Sequence, residues 1–285
     1  MNPDYIRFKK QRELGEILSV LFKFLRENYK LLFNVFIKFV SPAFVLLIAA
    51  VSYYTYSTIG NPVFATGALT GGEFVLSFIL MLIAVLLYSA ALYGTIFHVI
   101  KSYISNNGDV HVSEVGQGLK EDFGKLLGLT LIGWVLIVAG TILFIIPGIY
   151  LFVPLTISTA ILVFRRTNIM DSISESFQLV KDNWWMTFFS LFVIGMLIYL
   201  ISFIFQIPLL IYTIIKTFTV MQEGSAADIS GMFDWVYITL SIIASLIQYM
   251  LYAIMPLGIS LVYFHLNEKQ NFTGTFESIE NLGRQ

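Results

Sequence analysis

The chain has no cysteine, which excludes disulfides, thiolate metal sites and a cysteine nucleophile. Charge is also scarce. Only 12% of the 285 residues are Asp, Glu, Lys or Arg, about half the share in a soluble domain. Such a chain cannot cover a folded surface with charge, and 57% of it is hydrophobic, so the missing polar surface is expected to face lipid. A formal net charge of −1 gives no general pull toward nucleic acid. No His-Glu-x-x-His string, glycine-rich phosphate loop or Gly-x-Ser-x-Gly is present. The three histidines, His98, His111 and His265, lie far apart in sequence. No catalytic residue, metal ligand or cofactor site is therefore expected. His98 and His265, both near span ends, are left as a pair that can meet in space or as ordinary interfacial histidines.

What the chain has is long apolar runs. About 20 apolar helical residues cross a bilayer core, and six stretches qualify: Leu31–Tyr56, Phe74–Ile100, Leu126–Ile146, Gly148–Phe164, Trp184–Ile215 and Trp235–His265. No run alternates with the period of a lipid-facing barrel, so the expected class is all-α, a polytopic membrane protein with about six transmembrane helices. Pro42, Pro154, Pro208 and Pro256 are candidate kinks. Pro147-Gly148 is read as the hairpin turn between the third and fourth spans; a re-entrant pair is the alternative. Thr70-Gly71-Gly72 reads as part of an outer loop.

Orientation follows from lysine and arginine. Of 17 basic residues, 16 fall on one set of alternate loops and only Lys216 on the other. That split predicts an integral protein of the cytoplasmic membrane with both termini cytoplasmic. The first apolar span lies too far into the chain for a cleaved signal core, so a retained anchor is expected. The resulting division is a cytoplasmic N-terminal segment, 1–30, a six-helix membrane domain, 31–266, and a cytoplasmic tail, 267–285.

A short amphipathic stretch precedes each odd-numbered span: Ile17–Tyr29, Glu114–Phe123 and Ile173–Trp184. At equal offsets Glu27, Glu121 and Asp182 coincide, as do Asn28, Asp122 and Asn183. The aromatic position is Tyr29, Phe123 and Trp184, with Trp185 following the last. These are the candidate interfacial anchors. The reading is three cytoplasmic interfacial amphipathic helices heading three parallel pseudo-repeats, about 14–102, 112–165 and 170–266. Shared apolar composition is the alternative.

The string Ile146-Pro147-Gly148-Ile149-Tyr150, the pair Ser176-Phe177 and the junction Asn183-Trp184-Trp185 carry a resemblance. Over about residues 110–200 the chain resembles the membrane domain attached to some glycerophosphoryl diester phosphodiesterases, and related bacterial multi-span membrane families of unassigned function. The resemblance implies a bacterial cytoplasmic (inner) membrane protein. It does not carry the phosphodiesterase, which belongs to a separate soluble barrel with a His-Arg pair. Here His98, His111 and His265 are followed by Val99, Val112 and Leu266.

Basic residues clustered at the amphipathic stretches are candidate lipid-headgroup contacts: Lys23, Arg26, Lys30, Arg165, Arg166 and Lys181. The same charges also serve as topology signal. Lys38 can snorkel to the interface, and Gln206 and Gln248 can hydrogen-bond between helices or face a substrate. The functional expectation is a non-enzymatic, lipid-associated organiser or accessory subunit. Membrane lipids and an unidentified protein are its expected partners, with no nucleic acid. A transporter of an apolar or lipid-like substrate is the alternative, followed by a membrane enzyme of lipid metabolism.

Overall fold

The computed structural model describes residues 5–60, 72–222 and 234–282. Thr70, Gly71, Glu223, Asp228 and Arg284 lie outside the described residues. Among those described, all regular structure is helical, and six helical stretches are long and apolar enough to cross a membrane. This is an all-α membrane protein.

Prolines decide where several helices break. α1 (Leu14–Val35) passes through a π turn (Phe36–Val40) into α2 (Ser41–Gly60). Pro42 has no N–H, and its ring crowds the carbonyl four residues back. The chain opens by one residue just before it, and the Ser41 N–H donates to the Phe36 carbonyl. α3 (Gly72–Ser105) follows, then α4 (Val112–Leu143) and α5 (Ile145–Arg165). α6 (Ile169–Val180) is capped by Asn168, whose side chain accepts the Asp171 N–H at 3.0 Å. A short 3₁₀ turn (Lys181–Asn183) leads into α7 (Trp184–Gln222).

The last span differs from the expected single helix. α8 (Trp235–Leu251) ends, Tyr252 and Ala253 form a turn, and α9 (Ile254–Asn271) begins. Pro256 takes the third position of α9, where its missing N–H leaves no intrahelical bond broken. The expected hairpin turn moves for the same reason. Phe144 is the single extended residue between α4 and α5, and Pro147 is the third residue of α5. Pro147 and Gly148 are therefore the first turn of a helix, not the hairpin turn.

The role of Gly148 is close approach. A β-carbon there would lie 2.1 Å from Thr141 Oγ1 and 3.1 Å from Thr141 Cα. Thr141 cannot swing away freely, because its hydroxyl donates to the Ile137 carbonyl at 2.7 Å.

The three amphipathic stretches are all helical but are joined differently. The first runs through the π turn into α2, and the second is the start of the unbroken α4. Only the third, α6, is a helix of its own.

Chain contacts divide the protein into two compact units, cutting across the expected segments. The first comprises Met1–Ser41, Ser89–Gly195 and Ala253–Gln285. Its core is an aromatic network: Phe8 meets Phe24 at 5.4 Å and Phe264 at 6.0 Å, Phe24 meets Tyr103 at 5.2 Å, and Phe164 meets Phe264 at 4.9 Å. Such pairs add about 0.5–1.5 kcal/mol each beyond area burial. The charged lead is part of this core. Arg12 is buried, its guanidinium donating to the carbonyls of Phe8 at 2.8 Å, Lys10 at 3.2 Å and Arg7. Burial lowers its pKa from the ordinary value, opposed by Glu16. The expected C-terminal tail, 267–285, holds the end of α9 and then α10 (Thr273–Leu282), anchored where buried Glu268 accepts the Gly274 N–H at 2.6 Å.

The second unit comprises Pro42–Tyr88 and Met196–Tyr252. Its apolar helices are pinned by a few polar bonds. Ser57 and Ser77 share a bond of 2.6 Å, and the Tyr88 hydroxyl donates to the Tyr249 carbonyl. Gln206 donates to Gln248 at 3.3 Å, and Gln248 donates to the Tyr252 hydroxyl at 2.8 Å. Asp234 caps α8 through the Tyr237 N–H at 3.1 Å and pairs with Lys216 at 2.8 Å. Bonds from Lys216, the Tyr212 hydroxyl and that N–H hold its carboxyl well below the usual carboxylate range.

Two outcomes are expected. Gly148→Val should force α4 and α5 apart and cost about 1–3 kcal/mol by overpacking, read as a lower unfolding temperature in detergent. Thr141→Ala in the same chain should recover part of it, and an unchanged unfolding temperature would refute the close approach. For Asp234 the folded pKa lies below the unfolded one. Its contribution is therefore present above the unfolded value, about 3.9, and is lost as pH falls through the folded value. Asp234→Asn should lower the unfolding temperature at pH 7, and the gap to wild type should narrow below about pH 4. Coincident curves at pH 7 would rule the clamp out.

Candidate functional site

One face of α1 is committed to the core through Ile17, Leu21 and Phe24, and another turns outward. Lys23, Arg26 and Lys30, spaced by three and four, are exposed together along it. Exposed aromatic residues run beside them: Phe22, Tyr29 and Phe33, the last two more than half exposed. The Lys30 ammonium stands 5.9 Å from the Tyr29 ring centroid. Lys23 approaches Glu27 at 3.8 Å, a surface pair worth under about 1 kcal/mol. The first three headgroup candidates thus share one exposed strip of cations and rings.

Arg165 does not join them. Its Nη1 donates to Glu175 at 2.7 Å, its Nη2 to Asn267 at 2.7 Å and its Nε to the Tyr263 hydroxyl at 3.3 Å. The planar guanidinium ties α5 to α6 and α9, while the residue stays exposed at its edge. Arg166, in the left-handed conformation that ends α5, is exposed, and so is Lys181.

The aromatic anchors also separate. Tyr29 and Trp185 are exposed, whereas Phe123 and Trp184 are half-buried. Trp184 stacks on Tyr150 at 5.8 Å and on Phe188 at 5.3 Å, and its Nε1 donates to the Tyr150 carbonyl at 3.3 Å. The Pro-Gly-Ile-Tyr and Asn-Trp-Trp strings, 33 residues apart at their nearest in sequence, therefore meet through these two rings.

Sequence reasoning missed a polar cleft of about 360 Å³ between the ends of α3 and α4. At its wall the buried residues His98 and Asp122 approach to 3.2 Å. The contact lacks hydrogen-bond geometry, since His98 Nε2 has no hydrogen-bond partner among the described residues. Gly118 makes room for the ring, since a β-carbon there would lie 2.3 Å from His98 Nδ1. Lys125 reaches Asp122 at 3.3 Å, and Lys101 donates to the Val163 carbonyl at 2.7 Å. Arg166 completes the basic side of the cleft.

His98 pairs with Asp122, while His265 accepts the Arg12 N–H at 2.9 Å, so each histidine has its own partner. The usable signal in the sequence was a lone histidine on an apolar helix, with an aspartate one turn before an apolar run. A buried imidazole beside a carboxylate can hold and move a proton. Ser102, which lines the same cleft, donates to Glu114 at 2.6 Å. Among the described residues no group of three His, Asp or Glu could hold a metal ion. No family model, curated protein or solved structure matches the chain.

These roles separate by substitution. Arg165→Ala should destabilise the protein by about 1–3 kcal/mol, because it strands the partners of a charged donor. Arg165→Lys should recover little, since an ammonium cannot span three acceptors. Arg166→Ala and Lys181→Ala should leave the unfolding free energy within about 0.5 kcal/mol of wild type. Equal stability of all four variants would refute the structural role of Arg165.

Proposed function

We propose that the chain is a non-enzymatic integral protein of the bacterial cytoplasmic membrane, with both termini cytoplasmic. It holds anionic lipid at its basic face and serves as a lipid-associated organiser or accessory subunit. The observation that carries this reading is the exposed strip on α1. Lys23, Arg26 and Lys30 offer three cations on one face, and Phe22, Tyr29 and Phe33 offer apolar rings alongside. That pairing suits the headgroup boundary, where rings enter the glycerol region and long cationic side chains reach phosphates. Orientation rests on the 16-to-1 distribution of basic residues. The stacked Tyr150 and Trp184 support kinship with the membrane domain of the glycerophosphoryl diester phosphodiesterases, because both motif strings contribute to one contact.

The buried His98–Asp122 pair beside the cleft favours a second reading, a membrane enzyme of lipid metabolism with imidazole as general base. Loss, in His98→Gln, of a phospholipid product made by the wild type would establish it.

The test of the first reading is native mass spectrometry from nanodiscs of phosphatidylglycerol and phosphatidylcholine. Each basic residue near an anionic surface contributes about 1 kcal/mol, so reversing Lys23, Arg26 and Lys30 to Glu should weaken phosphatidylglycerol retention by at least about a hundredfold. Phosphatidylcholine retention should not change. Equal phosphatidylglycerol retention by variant and wild type would overturn the reading.

A further inference from the structure

α4 and α5 satisfy the length and composition of crossing helices, but their surroundings describe something shorter. Between Lys125 and Arg165 the chain carries no Asp, Glu, Lys, Arg or His. A hairpin that crossed would put its turn among the far headgroups, where polar or charged residues belong. Its turn is instead Ile142-Leu143-Phe144-Ile145-Ile146, with each side chain 70–79% exposed. Five consecutive large apolar residues at that exposure are incompatible with water.

The remainder of α5 indicates how deep the turn can go. α6 runs back along α5, from the Arg165–Glu175 bond at one end to the Trp184–Tyr150 stack at the other. The outward face of α6 and the turn after it is polar and exposed: Asp171, Ser174, Gln178, Lys181 and Asp182. That face requires water or headgroups, so the part of α5 beside it lies outside the hydrocarbon too. From Ile157 to Val163 α5 is buried within the protein. Trp184 and Trp185, the kind of rings that sit at a membrane interface, lie level with Tyr150 and not with Arg165. Beyond Tyr150 only six residues remain to Phe144, about 9 Å at 1.5 Å per residue. On α4 the outward apolar run from Leu127 to Leu143 is seventeen residues, about 26 Å. Both fall short of the roughly 30 Å of a bilayer core. The turn is also economical in unpaired backbone. It has one non-helical residue, whose N–H donates to the Gly140 carbonyl at 3.0 Å, and Pro147 removes one donor.

The geometry points to a re-entrant wedge: the α4–α5 hairpin enters and leaves by the basic side, and its tip at Phe144 lies among the upper acyl chains of that leaflet. The membrane is then crossed four times and indented once. The orientation of the termini does not change, because a crossing hairpin and a re-entrant one both return to the side they left. The wedge needs only that the chain is membrane-embedded, so unaltered lipid retention in the α1 variants would leave it standing.

The absence of cysteine allows a direct test. Single cysteines at Ile142, Phe144 and Ile146 are exposed to a membrane-impermeant maleimide in intact spheroplasts and in inverted vesicles. Glu73→Cys, in the first turn of α3, and Asn107→Cys, in the turn just past its last residue, report the two faces. Tip cysteines should label from neither face, at less than a tenth of the control level. A nitroxide at Phe144→Cys should be quenched by oxygen far more than by a nickel chelate. Labelling from the Glu73 face would mean that the hairpin crosses, and labelling from the Asn107 face that it lies in water; either overturns the wedge. Three tip positions guard against one variant that fails to fold.

Discussion

A helix in hydrocarbon has no water to complete its hydrogen bonds, so every place where the helix fails must be repaired by the chain itself. Pro42, Pro147 and Pro256 coincide with such failures, whereas Pro154 and Pro208 lie inside the continuous helices α5 and α7. Before Pro42 the helix widens into a π turn. Before Pro147 and Pro256 it breaks, and the proline becomes the third residue of the next helix, where no bond is lost. These repairs set the boundaries of α2, α5 and α9. The boundary at Phe144 in turn brings Gly148 against Thr141 and makes the α4–α5 hairpin tight.

Lipid offers little drive for apolar helices to associate, so specificity falls to polar bonds and close packing. The second unit shows this sparingly, with serine, glutamine and tyrosine pairs and the Lys216–Asp234 clamp at its edge. The first unit shows it densely. Arg12 gathers the carbonyls of the N-terminal lead, Arg165 joins α5, α6 and α9, and Glu268 holds the start of α10. Each of these charges has several partners inside the unit. They are consequently not free for ligands, and that separates them from the exposed cations of α1.

The resemblance to phosphodiesterase membrane domains rests on three short motifs with no chemistry of their own, two of which meet. Their contact supplies a physical reason for them. Tyr150 and Trp184 stack, Gly148 admits the neighbouring helix, and Asn183 accepts a bond of 2.6 Å from Lys269. The strings maintain the packing of the α4–α5 hairpin against the start of α7, which is compatible with many activities and specifies none.

Local composition alone determined that this is an all-α membrane protein, because length, apolarity and lack of charge in each stretch are properties of that stretch. It located the amphipathic helices as well, since a face with period 3.6 is written in consecutive residues. It could not tell that Arg165 is consumed internally while Arg26 is free, since both are arginines beside amphipathic helices. Only the positions of Glu175, Asn267 and Tyr263, 10 to 102 residues away, decide it. It could not join His98 to Asp122, or Tyr150 to Trp184, because those contacts depend on how helices pack and not on what each helix contains. It placed the hairpin turn at Pro-Gly, the usual turn pair. The tertiary structure moved the turn to Phe144, because a proline three residues into a helix and a glycine at a helix contact are both more stable there than in the turn itself.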